Sequence, residues 1–425
     1  MKSSEVTSFN PDASATRNAG RKALTFLIVT AFLNTMGIGI LGPVGPFIVQ
    51  HYVSNQNVLA TVVGWLISAY SICQFIAAPA LGLLSDRSGR RPLLLICLFG
   101  SAVGYALFGL GGALWILFLG RIIDGLTGGN VSILFAYIGD ISEPQERGKY
   151  FGLFGAASGI GFIIGPTLGG LTSLLGILVP VYIAAAITLA NMIWGYFYLP
   201  ESLSKEHRVM HISLAELNPL KQLRGVFALP QLRWLMLATF LFSFPFAVYQ
   251  AMTTVLIKDS LGWNAASIGM IFLVLGVMDI VMQGLLVGRL LPIFGEIKLT
   301  IGGMVCDMLA YVLIGAIALV PSQAFLWIGI VLFGVGSGLL EPSLMSLVSQ
   351  AVGPREQGIV QGGGQSLQSL ARIVGPLWGG FLYARSGHAS PYWSAAVIVI
   401  LAILATILAI PSLRAHQSGV DTSQE

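Results

Sequence analysis

Six ionisable residues stand inside long apolar runs: Arg121, Asp124, Asp279, Asp307, Glu341 and Arg372. In a bilayer each costs a few kcal/mol unless it is paired or wet, so such residues mark ion pathways, proton relays or internal ion pairs. The chemistry open to them is proton transfer and charge pairing. Arg121 and Asp124 are spaced i, i+3 and can pair on one helix, so a purely structural ion pair competes with a functional one. Asp307 lies about ten residues beyond Lys298. Removal from water favours the neutral form of a carboxyl group, the property a group needs to take up and release protons near neutrality. Asp307 is therefore the leading coupling group, against the reading of a protonated packing residue. Glu341 immediately precedes Pro342 and is placed either to bond backbone groups that the proline frees or to take part in the chemistry. Arg372 is the counter-charge for one of these acids, and the spacing does not say which.

Other chemistries find no constellation. His51, His207, His211, His388 and His416 fall outside the predicted helix interiors and form no metal motif or catalytic triad. Cys73, Cys97 and Cys306 lie in apolar stretches without paired spacing. No nucleotide-binding P-loop is present, so direct ATP drive is not expected. The expectation is a protein that is not an enzyme and carries no cofactor or metal.

The elements that position these groups follow from composition. The chain has 425 residues, 55% hydrophobic and 9% charged, with a mean hydropathy of +0.83. Soluble domains are about 25% charged, so a water-soluble fold is excluded. The net charge of +4 is too thinly spread for a nucleic-acid footprint. At roughly 20 residues per span, hydropathy predicts twelve helices: 23–50, 60–84, 92–110, 113–137, 148–171, 177–199, 232–257, 265–290, 297–320, 324–350, 357–382 and 391–411. These divide the chain into an N-terminal tail (1–22), a six-helix bundle (23–199), a polar linker (200–231), a second bundle (232–411) and a C-terminal tail (412–425). The tail from Met1 to Gly20 has no apolar run ending in a cleavage site. With the N-terminus inside, 18 of the 22 Lys and Arg fall on the cytoplasmic side, as the positive-inside rule requires. Both termini are thus expected in the cytoplasm.

The halves carry an internal repeat. Gly148 is followed 17 residues later by Gly165-Pro166-Thr167-Leu168-Gly169-Gly170, and Gly358 by Gly375-Pro376-Leu377-Trp378-Gly379-Gly380, an offset of 210 residues. Two related halves with a site between them form a known transporter architecture. A cavity there needs apolar walls and a few fixed polar groups. Candidates are Asn34, Gln74, Phe240, Phe244, Tyr249 and Gln250, with Gln361, Gln365 and Gln368 on a single helix face.

Between the second and third spans runs Gly82-Leu83-Leu84-Ser85-Asp86-Arg87-Ser88-Gly89-Arg90-Arg91. This resembles the signature loop of the major facilitator superfamily. Gly152, Gly161, Gly165, Pro166, Gly169 and Gly170 resemble that superfamily's antiporter motif, in which small residues let helices approach closely. Across nearly the whole chain the sequence is similar to drug/proton antiporters, especially bacterial tetracycline exporters, through Met36–Ile40, Leu119–Gly128, Asn218–Leu220, Phe294–Glu296 and Asp307.

The resemblance implies an all-α membrane protein with 12 transmembrane helices in two six-helix pseudo-symmetric bundles, the major facilitator fold. It also implies a monomer in the bacterial inner membrane that exports amphipathic small molecules against protons by alternating access. Asp86 would latch the halves in the outward-open state, with Arg90, Asp140 and the amino end of the eleventh span as partners. Arg87, Arg91 and Arg147 complete that cluster, and Arg121 lines the proton path. Three positions depart from tetracycline exporters: Asn34 and Gly104 stand for acids, and Asp279 stands for a His whose role it would take over. The competing expectations are a proton symporter or uniporter importing a nutrient and, from another class, a membrane-embedded sensor or enzyme.

Overall fold

The structure is a computed structural model that describes residues 11–143, 145–204, 206, 208, 232–352 and 357–421. Side chains are described from residue 20 onward, except at 57, 357–359 and 412–421. Much of the expected linker, including Asn218–Leu220, lies outside the described residues, as do residues 353–356 before the eleventh helix.

In hydrocarbon, apolar runs satisfy their backbone polar groups by forming helices, and twelve long ones result among the described residues. The first half holds α1 (Pro11–Val49), α2 (Gln56–Ser88), α3 (Arg90–Leu110), α4 (Leu114–Ile141), α5 (Arg147–Thr172) and α6 (Val179–Tyr198). The second holds α7 (Arg233–Leu261), α8 (Ala265–Phe294), α9 (Glu296–Ala316), α10 (Gln323–Gln350), α11 (Gln357–Ser386) and α12 (Ser390–Asp421). No strand occurs among the described residues. Two helices outrun the hydropathy prediction by ten residues or more: α1 begins at Pro11 rather than 23, and α12 continues to Asp421 rather than ending at 411. Hydropathy marks where a helix leaves hydrocarbon, not where its hydrogen bonding stops.

The signature segment is not a loop either. α2 runs through Ser88 and α3 starts at Arg90, so Gly89 alone joins them. Its φ of 104° is in the region glycine enters without steric cost.

Packing repeats with the sequence. α1 lies along α5, and α3 against α4 and α6; likewise α7 lies along α11, and α9 against α10 and α12. The halves meet where α5 crosses α8 and α2 crosses α11, two seams related by the 210-residue repeat. Gly165 and Gly169 press on Met36 and Ile40 of α1, within their own half, whereas Gly170 crosses to α8. In the second half Gly375 and Gly379 press on α7, and Gly380 crosses to α2. A Cβ at Gly170 would lie 2.7 Å from the Ala265 carbonyl oxygen, and one at Gly380 2.8 Å from that of Ala60. Any side chain there would wedge the seams apart.

The Ser68 hydroxyl also donates to the Ile373 carbonyl (2.7 Å), and that of Thr254 to the Gly42 carbonyl (3.2 Å). These junctions occupy the middle of the bundle and the end opposite Gly89. Toward the Gly89 end, Gly148, Gly152, Gly155 and Gly159 of α5 and Gly284 and Gly288 of α8 face open space. The halves are closed together at one end and stand apart at the other, leaving a cleft.

Candidate functional site

The first-half wall holds its charges in balance. α3 and α4 approach closely because Gly104 and Gly120 bring backbone against backbone; a Cβ at Gly104 would lie 2.8 Å from the Asp124 Cβ. The site of the expected acid on α3 is thus filled by Asp124 of α4. Asp124 accepts from Arg121 Nη1 at 2.9 Å and has the Ser101 hydroxyl within reach. The guanidinium carbon of Arg121 sits 4.2 Å from the centre of the Tyr70 ring, a cation–π contact. Gln74 donates to the Tyr70 hydroxyl (3.2 Å) and the Gly128 carbonyl (2.9 Å). Asn34 donates to the Asn130 side-chain oxygen at 3.0 Å. Arg121 and Asp124 are both buried, so each would be costly without the other.

The second-half wall is different. Asp307 is fully buried on α9, and neither carboxyl oxygen has a hydrogen-bond partner. It abuts Gly336 of α10, and its neighbours are Tyr249 and Tyr311, whose hydroxyls are also unpartnered. The Tyr249 ring stacks on Phe333 with centroids 4.1 Å apart. An ionised carboxylate in such a place would go uncompensated.

Asp307 does not join the other acids. Glu341, farther along α10, faces a cleft between α7, α10 and α11. The α11 wall of that cleft carries Gln361, Gln365 and Gln368, the amide stripe of the sequence pattern. From α7 come Met236, Thr239, Phe242 and Ser243, rather than the Phe240, Phe244, Tyr249 and Gln250 expected. Phe244 and Tyr249 turn into the bundle core, and Gln250 is exposed farther up the helix. Periodicity cannot tell cleft from core on a helix apolar all round. Arg372 lies within electrostatic reach of Glu341 and of Tyr70 on α2, and Asp279 reaches Glu341 while bonding Gln283.

At the Gly89 end, Arg90 pairs with Asp86 (2.5 Å) and Asp140 (3.1 Å) and donates to the Ser85 hydroxyl (2.6 Å). Arg91 donates to the Tyr196 carbonyl (2.5 Å), and Arg147 to that of Gly139 (3.0 Å); Arg87 is exposed. The amino end of α11, the remaining partner expected for Asp86, adjoins residues outside the described ones. Two partners escaped the sequence reading. Glu201 accepts from the backbone N–H of Arg90 at 2.9 Å, capping α3, and the Ser202 hydroxyl donates to Asp140 at 2.9 Å. Tyr70 escaped as well, although its place one turn before Gln74 was a usable signal.

A two-bundle membrane fold, with twelve long helices among the described residues, buried ionisable groups in each half and a cleft that Glu341 lines, is that of a secondary transporter. The sequence profile of the Major Facilitator Superfamily matches residues 27–376, and the chain belongs to that superfamily. It is 33% identical to the class C tetracycline resistance protein of Escherichia coli, over 92% of this chain and 96% of that one. It is 28% identical to multidrug resistance protein 2 of Bacillus subtilis (strain 168), over 92% and 96%. Among solved structures it resembles the human organic anion transporter MFSD10 (TETRAN), with a TM-score of 0.66, 25% identity and coverage of 91% and 99%. A bacterial Spinster homologue in an inward-facing conformation shares the fold, with a TM-score of 0.72, 13% identity and coverage of 94% and 98%.

Proposed function

We propose that this transporter exports amphipathic small molecules from the bacterial cytoplasm in exchange for protons, by alternating access. The observation that carries the reading is a cleft closed at one end and open at the other, with a sealed, unpartnered carboxyl group packed behind one of its walls. The positive-inside pattern argues that the open end faces the cytoplasm, so cargo enters there, and the far-end seams close the other side. Similarity to tetracycline and multidrug resistance proteins supports export and apolar cargo.

Asp307 carries the coupling proton in this scheme, because its surroundings offer an ionised carboxylate nothing and a neutral acid little penalty. α10 presents Gly336 to Asp307 and Glu341 to the cleft, so a shift of this helix couples the two. The Arg121–Asp124 pair is already balanced and serves to hold α3, α4 and Tyr70 in place. Outside protons load Asp307 as cargo leaves, and the halves then rock back. When the far end opens, the Asp86–Arg90–Asp140 cluster docks on α11 and closes the cytoplasmic side. The proton gradient is the energy source, no bond in the cargo is made or broken, and one chain is the working unit.

Purified protein in liposomes with an imposed pH gradient tests this against a panel of fluorescent drugs and tetracycline. The expected result is gradient-driven movement that Asp307→Asn abolishes. Movement indifferent to the gradient and to the substitution would make the protein a facilitator.

A further inference from the structure

Glu341 and Arg372 form no ion pair or hydrogen bond among the described residues, with each other or with any neighbour. Both are exposed in the structure; Glu341 lines the cleft, and Arg372 lies just beyond its lining. Each lies within electrostatic reach of the other. Arg372 extends the amide stripe of α11: Gln361, Gln365, Gln368 and Arg372 follow i, i+4, i+7, i+11, within about 60° of one another around a helix of 3.6 residues per turn. Arg372 is thus one turn deeper than Gln368. It stands near the seam with the first half, where the adjacent Ile373 carbonyl accepts from Ser68 at 2.7 Å. Glu341 lines the cleft among Met236, Phe242, Leu344 and Met345.

Opposite charges held near each other without pairing, in surroundings poorer in water than bulk, are unfavourable until something compensates both. A ligand with one charge could satisfy only one of them. We propose that the cleft selects amphipathic zwitterions. The cationic group meets Glu341 and the glutamine amides, the anionic group meets Arg372 at the apex, and the apolar body lies on the methionine, leucine and phenylalanine wall. The guanidinium suits a planar carboxylate, which it can grip with two parallel hydrogen bonds. Glu341 and Arg372 become specificity-determining residues, distinct from Asp307. The inference rests on the exporter reading, since it names the cargo class of that cleft.

Three dyes with one xanthene body separate the charges: rhodamine 110, a zwitterion; rhodamine 123, its methyl ester and a cation; and fluorescein, an anion. Binding to purified protein in nanodiscs is read by fluorescence anisotropy, with a thermal melt of every variant. Rhodamine 110 is expected to bind roughly tenfold tighter than either relative, the scale of one charge-assisted contact. Arg372→Gln should erase the preference over rhodamine 123, and Glu341→Gln the preference over fluorescein. Arg372→Lys, which keeps the charge, should retain part of the first preference. Equal binding of the three dyes by the wild type, or a preference that survives Arg372→Gln, would overturn the inference. So would absence of dye binding in protein that still moves cationic drugs down a proton gradient. Loss of all gradient-driven movement in the wild type would instead overturn the exporter reading itself.

Discussion

The two walls carry one repeated motif and treat their charges in opposite ways. On the first half, Arg121 and Asp124 pair at 2.9 Å and Tyr70 covers the guanidinium. On the second, Asp307 has no partner for either oxygen, and neither Glu341, which lines the cleft, nor Arg372 is paired among the described residues. A satisfied ion pair has little reason to change state, whereas an unsatisfied group changes state whenever a proton or a ligand arrives. The repeat places a similar scaffold in each half, and the unpaired carboxyl group lies in the second.

The largest effect expected is at the balanced wall. Arg121→Ala strands a buried carboxylate and should cost about 3–5 kcal/mol, read as a lowered unfolding midpoint of the purified protein. The pair of changes Arg121→Met and Asp124→Leu should recover most of that loss. A double variant as unstable as the single one would break the contrast.

Next come the seams that both halves share. Gly170→Leu should cost about 1–3 kcal/mol by overpacking against α8 and hold the far end apart, seen as increased labelling of cysteines introduced in the cleft from the outer side. Gly152→Leu, which meets open space, should leave that midpoint unchanged and instead block closure of the other end.

Asn34→Asp places an acid where tetracycline exporters are expected to carry one. It perturbs the 3.0 Å bond to Asn130 and should cost about 1 kcal/mol without changing the number of protons exchanged per cargo. A second coupled proton in that variant would put chemistry on the first wall. The smallest effect belongs to Asp140→Asn, because Arg90 keeps Asp86 and Asp140 is partly exposed. About 0.5 kcal/mol is expected in the resting state, with a slower transport rate as the readout.

Much of this was legible in the residues. The helix count follows from hydropathy, and the repeated Gly-Pro-x-x-Gly-Gly marked close helix approach in both halves; the structure shows that its last glycine crosses between halves in each copy. Arg121 and Asp124 were legible too, because an i, i+3 pair needs only a helix. What stayed hidden required knowing which way a helix is turned. α7 is apolar on every face, so Met236, Thr239 and Ser243 look no different from Phe244 and Tyr249, which point into the core. Tyr70, Glu201 and Ser202 were hidden for another reason: their partners lie on other helices, 50 or more residues away in sequence for Tyr70–Arg121, Arg90–Glu201 and Ser202–Asp140.

The account stands on the second wall as the place where protons are exchanged for cargo. Proton release can be followed with a pH indicator when cargo is added to detergent-purified protein in weak buffer. The account predicts release from the wild type and from the Arg121→Met, Asp124→Leu double variant, and none from Asp307→Asn. Undiminished release from Asp307→Asn, with release lost in the double variant, would move the coupling to the first wall and contradict it.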